Sequence, residues 1–134
     1  MSSTRFTIIA SAVIVGATLA ACASTESALT EKGMKPLTGP QIDELLGKET
    51  RWNVALANGN RVELRVAADH GTTLSWVGGQ ASGRLWTTAT GYCSEYKTLG
   101  DGKPHCYRMY RIDAKTFKSF RDTGDFAAEG TRID

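Results

Sequence analysis

The sequence has little net charge, few histidines and no recognisable catalytic motif. Lys and Arg number 16 against 14 Asp and Glu, and there are two histidines in 134 residues. A nearly balanced chain lacks the positive excess that attracts a phosphate backbone, so we expect no nucleic-acid partner. His70 and His105 have no Ser or Asp partner and no second metal ligand at a motif spacing. The sequence therefore predicts no catalytic residue, no metal site and no cofactor.

Long hydrophobic runs are equally scarce, since the sequence has one, from Phe6 to Ala21. It follows a short basic start, carries no charge and ends in small residues, which is the pattern of an export signal. A transmembrane helix is the alternative, but the run is shorter than the roughly 20 apolar residues that span a bilayer, and Ala, Gly, Ser and Thr dilute it. We interpret residues 1–21 as a signal peptide.

Cysteine is also rare, and the first of three cysteines follows the hydrophobic run directly. The stretch Leu19-Ala20-Ala21-Cys22 resembles the lipobox of bacterial lipoproteins, in which the cysteine is acylated before cleavage on its N-terminal side. Two or three acyl chains would hold Cys22 on a membrane, at about 0.8 kcal/mol per buried methylene. Ordinary cleavage after Ala23 is the alternative, and it would discard this cysteine.

The resemblance to lipoproteins also implies a location. Ala23 stands where an Asp would retain an enteric lipoprotein at the inner membrane. We therefore expect a protein of the bacterial cell envelope, anchored by lipid to the outer membrane and facing the periplasm.

The other two cysteines, Cys93 and Cys106, fall in the region that we expect to fold. A domain of this size buries only a thin core, and the expected compartment is oxidising, so a disulfide would be both stable and useful. A bond that closes so short a loop contributes about 3 kcal/mol. A pair of buried free thiols is the alternative.

Residues 22–36 have almost no large apolar side chains, so we predict a lipidated flexible tether there. Residues 37–134 are predicted to form one small domain that opens with a helix over Pro40–Leu46. Thr38 is the expected N-cap of this helix, and Gln41 completes a capping box. The helix is too short to persist alone, so we expect it to cap other elements.

From Arg51 onward, apolar residues recur at every second position, which indicates β-strands. A three-residue loop over Asn58–Asn60, or a five-residue loop, would place Trp52 opposite Val66, and the next connection would place Val66 opposite Thr72. We interpret Trp52 and Trp76 as core residues, although both could instead line a ligand cavity.

Glycines in residues 77–83 are expected to interrupt the sheet, which resumes at Gly83–Thr88. Further strands are predicted around Tyr92–Tyr96, Cys106–Ile112 and Lys115–Phe120. The predicted fold is mainly β, an antiparallel meander that forms a curved sheet or small barrel, with one short N-terminal helix.

Scattered motifs resemble a family of small exported domains of unknown function in Gram-negative bacteria. The matching residues are Leu37-Thr38, Ile42, Leu46-Gly47, Gly83-Arg84-Leu85-Trp86, and Cys93 with Cys106-Tyr107-Arg108. In that family a short helix precedes a β-meander, and a Gly-Trp element precedes a cysteine pair. The family usually spaces the glycine and the tryptophan one residue closer than this chain does. It has no established activity, so the resemblance implies no catalytic residue.

Two classes of function fit these observations. One is a lipid-anchored binding or accessory module without catalytic activity, whose partner is an envelope protein, peptidoglycan or a glycolipid. Small disulfide-braced lipoproteins that inhibit lysozymes have a similar build, so one hypothesis is an inhibitor of an envelope enzyme. The alternative is an enzyme whose site is assembled from scattered residues.

For the binding module, the sequence offers one candidate face on the last predicted hairpin. A two-residue turn at Asp113-Ala114 would set Tyr110 opposite Phe117 on the core side. The opposite side would then be rich in aromatic and cationic groups, which suits contact with an envelope partner. This candidate binding face consists of Tyr107, Met109, Arg111, Lys118 and Phe120.

Overall fold

The computed structural model describes residues 25–133, which form two short helices and eight β-strands. The helices are α1 (Glu26–Glu31) and α2 (Gly39–Leu45). The strands are β1 (Thr50–Leu56), β2 (Arg61–Val66), β3 (Gly71–Trp76), β4 (Gly79–Thr88), β5 (Gly91–Tyr96), β6 (His105–Arg111), β7 (Thr116–Arg121) and β8 (Phe126–Arg132). Each strand pairs antiparallel with the next, and β8 pairs with β1. The predicted meander is confirmed, and it closes into a barrel.

The barrel has two distinct ends because consecutive strands run in opposite directions. Turns β1–β2, β3–β4, β5–β6 and β7–β8 lie together at the end that we call the open end. The other turns lie at the end that we call the plugged end, where α2 packs. Ile42 and Leu46 belong to the same buried cluster as Trp52 and Phe117 of the barrel wall. The apolar face of the helix therefore closes this end of the barrel.

The local signals for α2 are confirmed. The Thr38 hydroxyl accepts a hydrogen bond from the Gln41 amide at 3.3 Å, and the Gln41 side-chain oxygen accepts one from the Thr38 amide at 2.9 Å. This is the predicted capping box, and it satisfies two amides that the helix leaves unpaired. Gly39 lies so close to β4 that a Cβ there would come 2.2 Å from the Thr88 carbonyl oxygen. A glycine at this position lets the helix approach the barrel wall.

The strand register was predicted in part. Val66 lies opposite Thr72, as expected. Between β1 and β2 the pairing differs by two residues, with Trp52 opposite Leu64 instead of Val66. The Leu56 amide donates to the Asn60 carbonyl, so the connecting loop is one residue earlier than expected. A shift by two keeps every apolar side chain of these two strands on the same face, which is why the core side of β1 and β2 was assigned correctly.

The predicted break at residues 77–83 is wrong. β4 starts at Gly79 directly after a two-residue turn, and it runs without interruption to Thr88. Its glycines make room for aromatic rings, since a Cβ at Gly79 would lie 3.1 Å from the Trp76 ring and one at Gly83 would lie 2.5 Å from the Tyr96 ring. These glycines therefore mark close packing within a strand, where a loop had been expected.

The disulfide between Cys93 and Cys106 is confirmed. The two cysteines are direct partners on β5 and β6, with their Cα atoms 3.9 Å apart. Tyr92 lines the barrel interior, so its neighbour Cys93 faces the outer wall, where it pairs with Trp86. The disulfide fastens the long loop of residues 97–104 at the open end.

The N-terminal segment differs from the predicted tether. Thr25 caps α1, and Leu29 is buried against Tyr110 and Phe120 on the outer wall of the barrel. The chain then runs to the plugged end, where the Leu37 amide donates to the Met109 carbonyl at 2.7 Å. Residues 25–36 are thus a strap along the barrel wall. The signal peptide and Cys22 lie outside the described residues.

Candidate functional site

The candidate binding face proposed from the sequence does not form one surface. The Ile112 amide donates to the Thr116 carbonyl, so the β6–β7 loop has three residues and Tyr110 pairs with Lys118. This register places Tyr107, Met109 and Arg111 on the inner side of the sheet. Lys118 and Phe120 lie on the outer side, together with Tyr110 and Arg108. The five residues are therefore divided between the two sides.

The hydrogen bonds of the β6–β7 turn explain why the observed register differs from the predicted one. The Asp113 carboxylate accepts hydrogen bonds from the amides of Lys115 and Thr116, at 2.9 and 2.8 Å. Such an Asx-type turn favours a three-residue connection over the expected two-residue one. An aspartate at the start of the turn was the signal in the sequence that could have indicated it.

Phe120 is fully buried, although it belonged to the predicted exposed face. Its ring lies edge-on to Tyr110 at 5.6 Å, and Leu29 of the strap covers both. Met109 lines the barrel interior, and Arg111 lies at the plugged end with its guanidinium 5.1 Å from the centre of the Phe117 ring. Only Arg111 among these three remains exposed to solvent.

A charged network attaches the strap to the barrel. The Glu26 carboxylate accepts two hydrogen bonds from Arg108, at 2.5 and 2.6 Å, and one from the Tyr110 hydroxyl at 2.8 Å. The hydrogen bonds from Arg108 lower the pKa of the Glu26 carboxyl. Burial, with a further contribution from Glu26, raises the pKa of Tyr110 to about 12. At neutral pH the carboxylate is therefore ionised and fully hydrogen-bonded, which suits a structural clamp.

The barrel interior is nearly filled. A cavity of about 90 Å³ remains, lined mainly by apolar side chains such as Leu64, Leu85 and Met109. This is well below the roughly 300–1,000 Å³ of typical ligand pockets. Within the cavity wall, the Tyr92 hydroxyl lies 2.8 Å from the Ser119 hydroxyl, and burial raises the pKa of Tyr92. Large ligands must therefore bind outside the barrel wall or at its ends.

The outer wall of β1–β4 carries a shallow polar depression of about 500 Å³. Arg51 and Glu63 form an ion pair across it at 2.6 Å, and Arg65 pairs with Glu49. We call this surface the polar face, and it consists of Glu49, Arg51, Glu63, Arg65, Thr73, Ser75 and Gln80. Each of these side chains can donate or accept hydrogen bonds, and none is apolar.

The open end carries a different depression, of about 400 Å³ and mainly apolar. Trp76, which we expected in the core, is 37% exposed there, and Val77 at the tip of the β3–β4 turn is fully exposed. The Trp76 ring packs over Gly79, where a Cβ would lie 3.1 Å from it. We call this surface the open-end patch, and it consists of Leu56, Val62, Leu74, Trp76, Val77 and Leu99.

The two histidines remain apart. His105 lies 2.9 Å from the Asp101 carboxylate on the exposed β5–β6 loop, and His70 occupies a tight turn with φ of 69°. Within residues 25–133, no three His, Cys, Asp or Glu side chains gather as metal ligands. Over the same residues, no helix has the length and hydropathy needed to cross a bilayer. Comparisons of the chain with protein-family models, with curated proteins and with solved structures gave no match.

Proposed function

We propose that this chain is a lipid-anchored binding module of the bacterial cell envelope, without catalytic activity, and that its polar face binds peptidoglycan. The observation that supports this proposal most directly is the position of the polar face. It covers β1–β4, whereas the strap covers β6 and β7, about half-way round the barrel. A module held by its strap would therefore leave the polar face free to meet an envelope polymer.

The chemistry of the polar face favours a glycan over a protein as the partner. Protein interfaces have an apolar core that excludes water, whereas this face has hydroxyl, amide, carboxylate and guanidinium groups throughout. Peptidoglycan presents a dense array of hydroxyl, amide and carboxylate groups. The guanidinium groups of Arg51 and Arg65 already have exposed carboxylate partners within this face. Because exposed ion pairs are weak, a peptidoglycan carboxylate would bind there by replacing those partners, in the bidentate manner that arginine favours.

Sedimentation with purified peptidoglycan sacculi tests this proposal. We expect the full-length protein, solubilised in mild detergent, to pellet with the sacculi. Ser75→Tyr should reduce the pelleted fraction at least about tenfold, because the ring would fill the depression on the outer wall without entering the core. Thr88→Tyr is the matched control, since Thr88 is exposed at the other end of the same barrel, and it should pellet like the wild type. A wild-type protein that stays in the supernatant would refute peptidoglycan as the partner.

The anchor has a separate test. Intact-mass analysis of the membrane-extracted protein should show a chain that begins at Cys22 and carries acyl chains, and Cys22→Ser should prevent this modification. Recovery of a soluble, unacylated chain that begins at Ser24 would contradict the anchor while leaving the sacculus experiment interpretable.

A further inference from the structure

The strap places the proposed anchor beside the open end of the barrel. Residues Thr25, Glu26 and Ser27 face Thr123, Gly124 and Asp125 of the β7–β8 turn across a small depression. A Cβ on Gly124 would lie 3.7 Å from the Glu26 carboxylate. The N-terminus of α1 is therefore fixed at the rim of the open end.

Little chain separates this rim from Cys22. From Cys22 to Thr25 there are three residue steps, which span at most about 11 Å when fully extended. The headgroup region of a bilayer is on the order of 5–8 Å thick on each side. An acylated Cys22 would therefore keep this side of the rim within about 11 Å of the lipid-attached residue, which is close enough for the open end to reach the headgroups.

The open end has the side chains that suit such a contact. Trp76 and Val77 lie at the β3–β4 turn, four strands round the barrel from the β7–β8 turn at which α1 begins. An eight-stranded barrel is roughly 16 Å across, so a membrane that lies across the open end touches both sides of the rim. Tryptophan is enriched at membrane interfaces because its ring is apolar and its N–H is polar. Exposed cations in or next to the other turns of the open end can contact anionic headgroups, namely Arg61, Lys97, Lys103 and Arg121; they lie among the exposed acids Asp101, Asp122 and Asp125.

We propose that the open-end patch docks on the membrane that carries the lipid anchor, with Trp76 and Val77 inserted among the lipid headgroups. This inference rests on the acylation of Cys22 in the proposed function. Exposed aliphatic residues also occur at the plugged end, at Ile112 and Ile133. The anchor decides between the two ends, because α1 begins at the open end and the strap then runs away from it.

The membrane contact can be tested with one label at each end of the barrel. In acylated full-length protein, Val77→Cys introduces a free thiol at the tip of the β3–β4 turn, and Ala114→Cys introduces one at the tip of the β6–β7 turn. Both positions are exposed, and neither side chain contributes to the core. Each variant is labelled with an environment-sensitive fluorophore and reconstituted into phosphatidylethanolamine–phosphatidylglycerol vesicles that contain spin-labelled lipid.

We expect the label at position 77 to show blue-shifted emission and strong quenching by the spin-labelled lipid. The label at position 114 should keep the emission that it has in water. Equal emission and quenching at both positions, in protein whose acylation is verified by mass, would overturn the docking proposal and leave the anchor intact. A preparation without acyl chains would overturn the docking proposal together with the anchor.

Discussion

The two ends of the barrel are closed by different means. At the plugged end, α2 inserts Ile42 and Leu46 into the cluster that contains Trp52 and Phe117. At the open end there is no comparable plug within the described residues, and the disulfide fastens the longest loop instead. One end therefore contributes buried area to the core, and the other leaves apolar side chains in contact with solvent. The comparison indicates that buried apolar packing is concentrated at the plugged end and exposed apolar surface at the open end.

The plug gives one of the two largest expected losses of stability. Ile42 is 1% exposed, so Ile42→Ala should lower the free energy of unfolding by about 3 kcal/mol through lost burial and a residual cavity. Leu99→Ala at the open end is the control, and it should cost less because Leu99 is only partly buried. Chemical denaturation measures both. Equal losses would contradict the proposed difference between the two ends.

Removing the disulfide tests the open end by the same measurement, the free energy of unfolding. Cys93→Ala with Cys106→Ala should lower the free energy of unfolding by about 3 kcal/mol, because the bond joins residues 13 apart and restricts the unfolded chain. The measurement is denaturation of the double variant beside the oxidised wild type. A loss of stability near zero would mean that the pairing of β5 with β6 already constrains the open end, so that the disulfide adds nothing.

The strap connects the two ends, and we expect its contribution to the free energy of unfolding to depend on pH. Glu26→Gln should cost about 2 kcal/mol at neutral pH, since Arg108 loses a charged partner. The pKa of Glu26 is lowered in the folded state. Its contribution is therefore complete above the pKa of an unfolded glutamate, and it declines as the pH falls through the lower folded value. We expect the wild type and Glu26→Gln to converge in stability under acid conditions.

Glu31→Gln is the control for the strap, because Glu31 is exposed on the same helix. It should match the wild type within about 0.5 kcal/mol at every pH. A difference between wild type and Glu26→Gln that is constant from neutral to acid pH would refute the role of carboxylate ionisation.

The smallest expected change in the free energy of unfolding comes from a substitution in the open-end patch. Val77 makes no core contact, so Val77→Asp should change the free energy of unfolding by less than about 0.5 kcal/mol in detergent. A much larger destabilisation would mean that the turn is part of the core. In that case variants at Val77 could not distinguish a loss of membrane contact from a loss of folding.

Periodicity and capping signals identified much of the fold from the sequence. The alternation at Leu64 and Val66 fixed which side of the sheet is buried, and Thr38 with Gln41 fixed the start of α2. These are short-range patterns, which each segment carries in itself. The disulfide followed from the cysteine count and the expected compartment.

What the sequence did not reveal depends on contacts between distant residues. Leu29 has few apolar neighbours in the chain, so its burial could not be foreseen without Tyr110 and Phe120 beneath it. Similarly, β8 was missed because its segment, "FAAEGTR", has little β-propensity and is held by pairing with both β7 and β1. The polar face is assembled from β1 to β4, and the residues of any one strand do not indicate it.

The pairing of β1 with β8 also has a kinetic consequence. Trp52 lies opposite Arg132, so the contact that closes the barrel joins opposite ends of the sheet sequence. Such non-local pairing forms slowly, because the entropy of closing a long loop is lost before the contact forms. Until β8 arrives, β1 and β7 each expose an unpaired edge, which is prone to pair with another chain. A polypeptide that emerges N-terminus first therefore cannot complete its barrel until the last strand is available. Its biogenesis requires that it be shielded from aggregation until then.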